Sequence, residues 1–265
     1  GGATLPIGGM YDVDEFFFEL GIPVTADISI DAGFRSAEYS TGAETDSSKI
    51  GAYWSVNDNV SLRASFQTAQ RHANISELYS AVSDGLVDLD NDPCSIQQNG
   101  TPATATQAQC ALTGLPASLY NTDLNSPADQ YNIKGGGNPK VAPEESESLT
   151  IGAVITPESV PGLTLTVDYF DITVEDGIGT VSAKTALDKC ISTGSAQYCG
   201  LINRQAGTGS LWLSGGYISQ QLTNIGEETT SGVDVIFDYS FETSYGPVEV
   251  EGVTTFLDTY DITEL

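Results

Sequence analysis

Val60-Ser61-Leu62-Arg63-Ala64-Ser65-Phe66-Gln67 alternates without a break: Val60, Leu62, Ala64 and Phe66 occupy one parity, and Ser61, Arg63, Ser65 and Gln67 the other. Successive side chains of an extended strand point to opposite faces, so this segment presents one apolar and one polar face. An arginine in mid-strand on the polar face argues against the dry core of a sandwich. It fits a barrel wall with lipid on one side and water on the other.

The pattern repeats in both directions along the chain. Ala26, Ile28, Ile30, Ala32 and Phe34 oppose Asp27, Ser29, Asp31 and Arg35; Leu149, Ile151, Ala153 and Ile155 oppose Thr150 and Gly152. Leu163, Leu165, Val167 and Tyr169 oppose Thr164, Thr166 and Asp168; Val233, Val235, Phe237, Tyr239 and Phe241 oppose Asp234, Asp238 and Ser240; and Val248, Val250 and Phe256 oppose Glu249 and Glu251. Phe170, Ile172 and Val174 continue on the other parity, which predicts a bulge near Tyr169 or an exit from the apolar zone. Periodicity alone also fits a soluble two-sheet protein with one solvated face.

The connections discriminate between the two. Turn-forming residues mark short links at 23–25, 57–59, 157–162 and 242–247, whereas those between them are longer: Thr41 to Ser48, Ser80 to about Glu145, and Gly177 to about Gly209. Alternate connections of an antiparallel meander leave from the same end, so all the long loops share one rim, as in outer-membrane barrels. A compact soluble domain rarely carries a loop as long as the one after Ser80. The expected fold is all-β, an antiparallel meander forming part of a large transmembrane β-barrel. Residues 1–265 are read as part of one barrel domain, with long external loops at about 80–145 and 177–209 and a loop hairpin from Leu211 to Gln221.

The chain has 36 acidic against 9 basic residues and a formal net charge of −27, which excludes nucleic acid and anionic lipid headgroups as electrostatic partners. No run approaches the ~20 consecutive apolar residues of a membrane helix, and barrel strands need none. The chain opens in mid-pattern at Gly1-Gly2-Ala3 with no signal peptide, so it is expected to be an internal piece of a longer protein.

The four cysteines form two local pairs inside the long loops, Cys94 with Cys110 and Cys190 with Cys199. Their spacing suits disulfides in an oxidising compartment better than a metal site, and His72 is the only histidine. Asp88-Leu89-Asp90-Asn91-Asp92 has the spacing of half a calcium loop, but Pro93 stands where a sharply turning glycine is wanted, and a solvated acidic loop is the alternative.

Three segments carry a family resemblance: Leu62 to Tyr79, which includes Arg71-His72-Ala73-Asn74-Ile75-Ser76-Glu77-Leu78-Tyr79; Gly137-Asn138-Pro139-Lys140-Val141-Ala142-Pro143-Glu144 and onward to Leu149; and Pro161 to Ile172. In order and spacing they resemble the C-terminal half of the barrel of TonB-dependent outer-membrane receptors, over roughly Lys49 to Phe241. Where the family usually has Arg-Ala-Pro this chain has Arg71-His72-Ala73, and Val141 replaces the family's usual leucine. The resemblance implies a barrel of about 22 strands plugged by an N-terminal domain. It also implies uptake of a siderophore, haem, cobalamin or oligosaccharide in a Gram-negative outer membrane, energised through a plug that contacts TonB. Plug and terminal strands are expected outside this chain, so the strands containing Phe16 to Phe18 and the residues after Pro247 are expected at open edges or against chain not included here.

Neither a nucleophile elbow nor a phosphate cradle is present, and no cofactor or enzymatic activity is expected. Tyr120 and Tyr131 in the large loop, with Arg71 and His72, are the candidate contacts for a small solute or chelate, since aromatic rings stack on sugar or catechol rings. A secreted acidic β-protein that binds glycans or forms a surface layer is the competing reading. A hydrolase is the third, requiring converging carboxylates with one in an apolar pocket.

Overall fold

A computed structural model describes residues 6–263, so the opening Gly1-Gly2-Ala3 lies outside the described residues. In chain order the elements are β1 (Val13–Pro23), β2 (Ile28–Tyr39), β3 (Glu44–Asn57), β4 (Val60–Arg71), α1 (Ile75–Tyr79), β5 (Ser83–Asp88), α2 (Gln107–Leu112), a 3-10 turn (Ala117–Leu119), β6 (Gln130–Gly136), β7 (Glu144–Ile155), β8 (Leu163–Glu175), β9 (Ile178–Gly179), α3 (Ala183–Thr193), α4 (Ala196–Cys199), β10 (Ile202–Asn203), β11 (Tyr217–Gln221), β12 (Thr223–Asn224), β13 (Glu227–Thr243) and β14 (Gly246–Thr263). The chain divides into two units. Residues 10–73, 142–177 and 224–263 form one, and residues 6–9, 74–141 and 178–223 the other.

The first unit is an eight-stranded antiparallel sheet in the order β1-β2-β3-β4-β7-β8-β13-β14. Its register carries the alternation from strand to strand. Leu62 lies opposite Ala153, Ala153 opposite Val167, and Val167 opposite Val235; one residue along, Arg63, Gly152, Asp168 and Asp234 form a row on the opposite face. A slip of one residue at any of these pairs would exchange the two faces of a whole strand. On the apolar face the large side chains stay open to the surroundings, with Ile151 53% and Phe256 62% exposed. Apolar area left outward in this way is the pattern of a strand that faces an apolar medium. No helix is long and apolar enough to cross a membrane, a fact that does not bear on crossing by strands.

Of the two readings offered for Phe170 to Val174, a bulge is not the one observed: the register of β8 runs unbroken past Tyr169 against both neighbours, and register shifts sit instead between Ser231 and Gly232, where β13 meets β14, and between Ser55 and Asn57, where β3 meets β4. Phe170 therefore turns to the polar face, into space opened by Gly232, where a Cβ would lie 2.9 Å from its Cζ. The connection after β2 is a tight turn, not a longer loop, because both strands continue beyond the apolar zone and the Tyr39 amide closes on the Ala43 carbonyl at 2.9 Å. Finally, Leu211 to Gln221 is not a hairpin: β11 pairs antiparallel with β10 and parallel with β6.

Among the described residues β1 and β14 end the strand order, with the segments containing Phe16 to Phe18 and following Pro247 in these two outermost strands. The turn after β2 and the departures after β4 and β8 all leave from one end of the sheet; the links 24–27, 58–59, 156–162 and 244–245 close the other.

The second unit is built from the two excursions. Its four-stranded sheet has the order β10-β11-β6-β5, and among the described residues every buried apolar side chain except Ala37 and Ala73 belongs to this unit. Cys94, Ala105, Cys110, Leu115 and Leu124 form a closed cluster in it.

Candidate functional site

In the sheet, the candidate surface is the polar face. Arg63 donates from Nε to Asp168 Oδ1 at 2.8 Å and from a terminal nitrogen to Oδ2 at 2.5 Å, reaching across β7. Gly152 makes this possible: a Cβ there would lie 1.8 Å from Asp168 Oδ1. Lys49 pairs with Asp31 at 3.1 Å, Arg35 with Glu15, and Thr255 donates to Asp234 at 2.6 Å. Single charges distributed along a half-open face, each held by an opposite charge or a hydroxyl, suit a water-lined wall.

Arg71 and His72 lie where β4 leaves the sheet. Arg71 donates from Nε to Glu144 Oε2 at 2.5 Å, directly opposite in the register. The imidazole of His72 is buried between the rings of Tyr39 and Tyr11, with centroids 4.2 and 5.3 Å away, and its Nε2 lies 3.1 Å from Thr41 Oγ1. Both residues are engaged in shaping the strand end.

In the second unit α1 begins with a capping box, Asn74 accepting from the Glu77 amide at 2.9 Å while Glu77 accepts from the Asn74 amide at 2.7 Å. Cys94 is bonded to Cys110 and Cys190 to Cys199, with Cα separations of 5.7 and 4.7 Å. Tyr120 is half-buried against the cluster around the first disulfide, and its hydroxyl donates to the Ala105 carbonyl at 3.0 Å. Tyr131 is 0% exposed. Its hydroxyl accepts from the Ser126 amide and donates to Asn125, and burial raises its pKa from the ordinary value. A ring packed on every side offers no face to a ligand, which corrects the expectation for Tyr131.

The feature that sequence reasoning missed is the pair Asp92–Arg204. Arg204 donates to both Asp92 oxygens at 2.6 and 3.0 Å, to Thr113 Oγ1 at 2.8 Å and to the Gly209 carbonyl at 2.9 Å, while Asp92 also accepts from the Cys94 amide. The two side chains are 0% and 3% exposed. Asp92 is thereby withdrawn from the suspected calcium loop, and among the described residues no three acidic, cysteine or histidine groups converge to hold a metal. Two residues so far apart in sequence carry no local pattern that announces their pairing.

The sequence model of the family described as TonB dependent receptor-like, beta-barrel matches residues 7–263. Among solved structures, the chain is similar to the ferric enterobactin receptor of Pseudomonas aeruginosa in complex with enterobactin, at 13% identity and a TM-score of 0.57, covering 94% of this chain and 27% of that one. The siderophore receptor PirA of Pseudomonas aeruginosa matches at 12% identity and 0.52, covering 94% and 35%, and the RagAB peptide importer at 14% and 0.52, covering 96% and 22%. None of the curated proteins matches. The chain spans about a quarter to a third of the length of the receptors it resembles. With the family matched along nearly all of its length and the same antiparallel wall observed, the chain belongs to the TonB-dependent receptors and forms part of their outer-membrane β-barrel.

Proposed function

We propose that this chain is a wall segment of a receptor for energised uptake of a scarce solute across the outer membrane. The supporting observation is the family match over residues 7–263, carried on a sheet whose apolar side chains share one face and whose charges share the other. In this reading the polar rows line a water-filled interior, the lipid of the outer membrane covers the apolar face, and TonB acts through a plug supplied elsewhere in the protein. The solute is a siderophore, haem, cobalamin or oligosaccharide. Tyr120, Arg71 and His72 are the residues named for its recognition; Arg71 is the most exposed of the three, Tyr120 is half-buried with its hydroxyl tied to backbone, and His72 is buried.

The test is uptake by cells carrying the full-length receptor, supplied in turn with ferric siderophores, haem, cobalamin and oligosaccharides. Uptake of one class should disappear when the receptor gene or tonB is deleted. Uptake of every class unchanged by the receptor deletion, or a receptor recovered in the soluble fraction without detergent, would overturn the proposal.

A further inference from the structure

β5 is the open edge of the four-stranded sheet: it pairs with β6 on one side and has no strand on the other among the described residues. The Leu89 amide donates to the Asp129 carbonyl at 3.0 Å, in register with the β5–β6 pairing. In an antiparallel pair residues alternate between those that exchange hydrogen bonds with the partner and those whose amide and carbonyl point away. The odd-numbered residues of β5 thus face β6, and Asp84, Leu86 and Asp88 direct their backbone groups outward. Leu86 is 58% exposed, and both aspartates are exposed as well. An accessible edge of this kind is a template for a further strand.

Just beyond the end of β5, the residues Asp88, Asp90, Pro93, Leu187 and Asp188 line a cavity of about 280 Å³, together with Lys184. Its walls combine apolar surface with carboxylates. The Asn91 side-chain oxygen, on the same cavity, is buried without a hydrogen-bond donor. An aliphatic stem ending in a cation satisfies all three features.

We propose that the β5 edge binds an extended basic peptide by adding it as a fifth strand, with basic residues opposite Asp84 and Asp88, an apolar residue opposite Leu86, and a lysine or arginine beyond them in the cavity. Charge selects this occupant over a second copy of the chain, because two β5 edges laid together bring four aspartates into proximity, and Lys134, 3.8 Å from Asp84, offsets only one on each side and leaves Asp88 unmatched. The inference concerns binding and stands whichever solute the receptor transports.

The test uses full-length receptor purified in detergent and a fluorescent synthetic peptide whose alternate positions read lysine, valine, lysine, lysine, with threonine between them, so that a valine can meet Leu86 and lysines Asp84, Asp88 and the cavity. Two analogues accompany it: one N-methylated on the amides that would pair with β5, the other with glutamate in place of lysine. The unmodified peptide should bind, and both analogues should bind about tenfold or more weakly, as the loss of two backbone hydrogen bonds or of the charge match requires. Leu86→Pro removes an outward-facing amide while leaving the β6 ladder intact, and should weaken binding by about as much. No binding by the lysine peptide, equal binding by either analogue, or self-association of the receptor abolished by Leu86→Pro would each overturn the proposal. The N-methylated peptide tests the edge on unmodified protein, so the outcome does not depend on how well the variant folds.

Discussion

The same chain solves opposite solvent problems in its two units. In the sheet, Ile151 and Phe256 look outward and Arg63 and Asp168 occupy the polar face; in the unit of the two excursions, Tyr131 and Leu211 are sealed inside, along with two disulfides and an ion pair. The difference teaches that apolar residues follow the medium and not a fixed inside or outside. A strand beside lipid turns them out. A water-surrounded unit folds them in and, where its core is small, adds covalent and charged cross-links.

The largest expected effect comes from breaking the buried pair. Asp92→Ala leaves the Arg204 guanidinium uncompensated and should cost about 3–5 kcal/mol, confined to the second unit. Hydrogen exchange on the full-length receptor checks this: protection should be lost around Cys94 and Leu124 and retained in β4, β7 and β8. Next is the lipid-facing side of the sheet. Ile151→Arg should destabilise the barrel by about 2–4 kcal/mol, whereas Thr150→Arg, one residue away on the polar face, should cost well under half of that. Refolding into lipid vesicles across a urea series separates them, and equal costs would abolish the contrast between the faces.

Smaller still is the pair on the polar face. Arg63 is half exposed, so Arg63→Gln should change stability by no more than about 1 kcal/mol in the same vesicle assay. The last effect is absent at neutral pH. Burial raises the pKa of Tyr131, so its contribution is intact below the ordinary phenol value near 10 and is lost as pH rises through and beyond it. Amide exchange in β6 should accelerate in that alkaline range, and Tyr131→Phe should remove that part of the acceleration.

Legibility in the sequence follows the same division. The sheet was readable because lipid on one side and water on the other impose a strict period of two, visible in Val60 to Gln67 without knowledge of any distant residue. The turn after β2 was misjudged because Glu44 to Ser48 lack apolar alternation, yet their backbone still pairs with β2. The second unit was opaque for a physical reason. β6 and β11 meet in parallel from separate excursions, and Asp92 finds Arg204 112 positions away, so neither local propensity nor periodicity records the contact. Tyr131 was misplaced for the same reason: whether a loop tyrosine is a ligand platform or core is decided by segments elsewhere in the chain.

That separation of Asp92 from Arg204 also sets a timetable. The first excursion carries the carboxylate and a cysteine pair, but its arginine lies in the second excursion, beyond β7 and β8 in the chain. Contacts of such sequence separation form slowly, because the intervening chain must be ordered first. Until then Asp92 stays hydrated, and the first excursion waits in an unfinished form that oxidation at Cys94 and Cys110 can hold together but not complete.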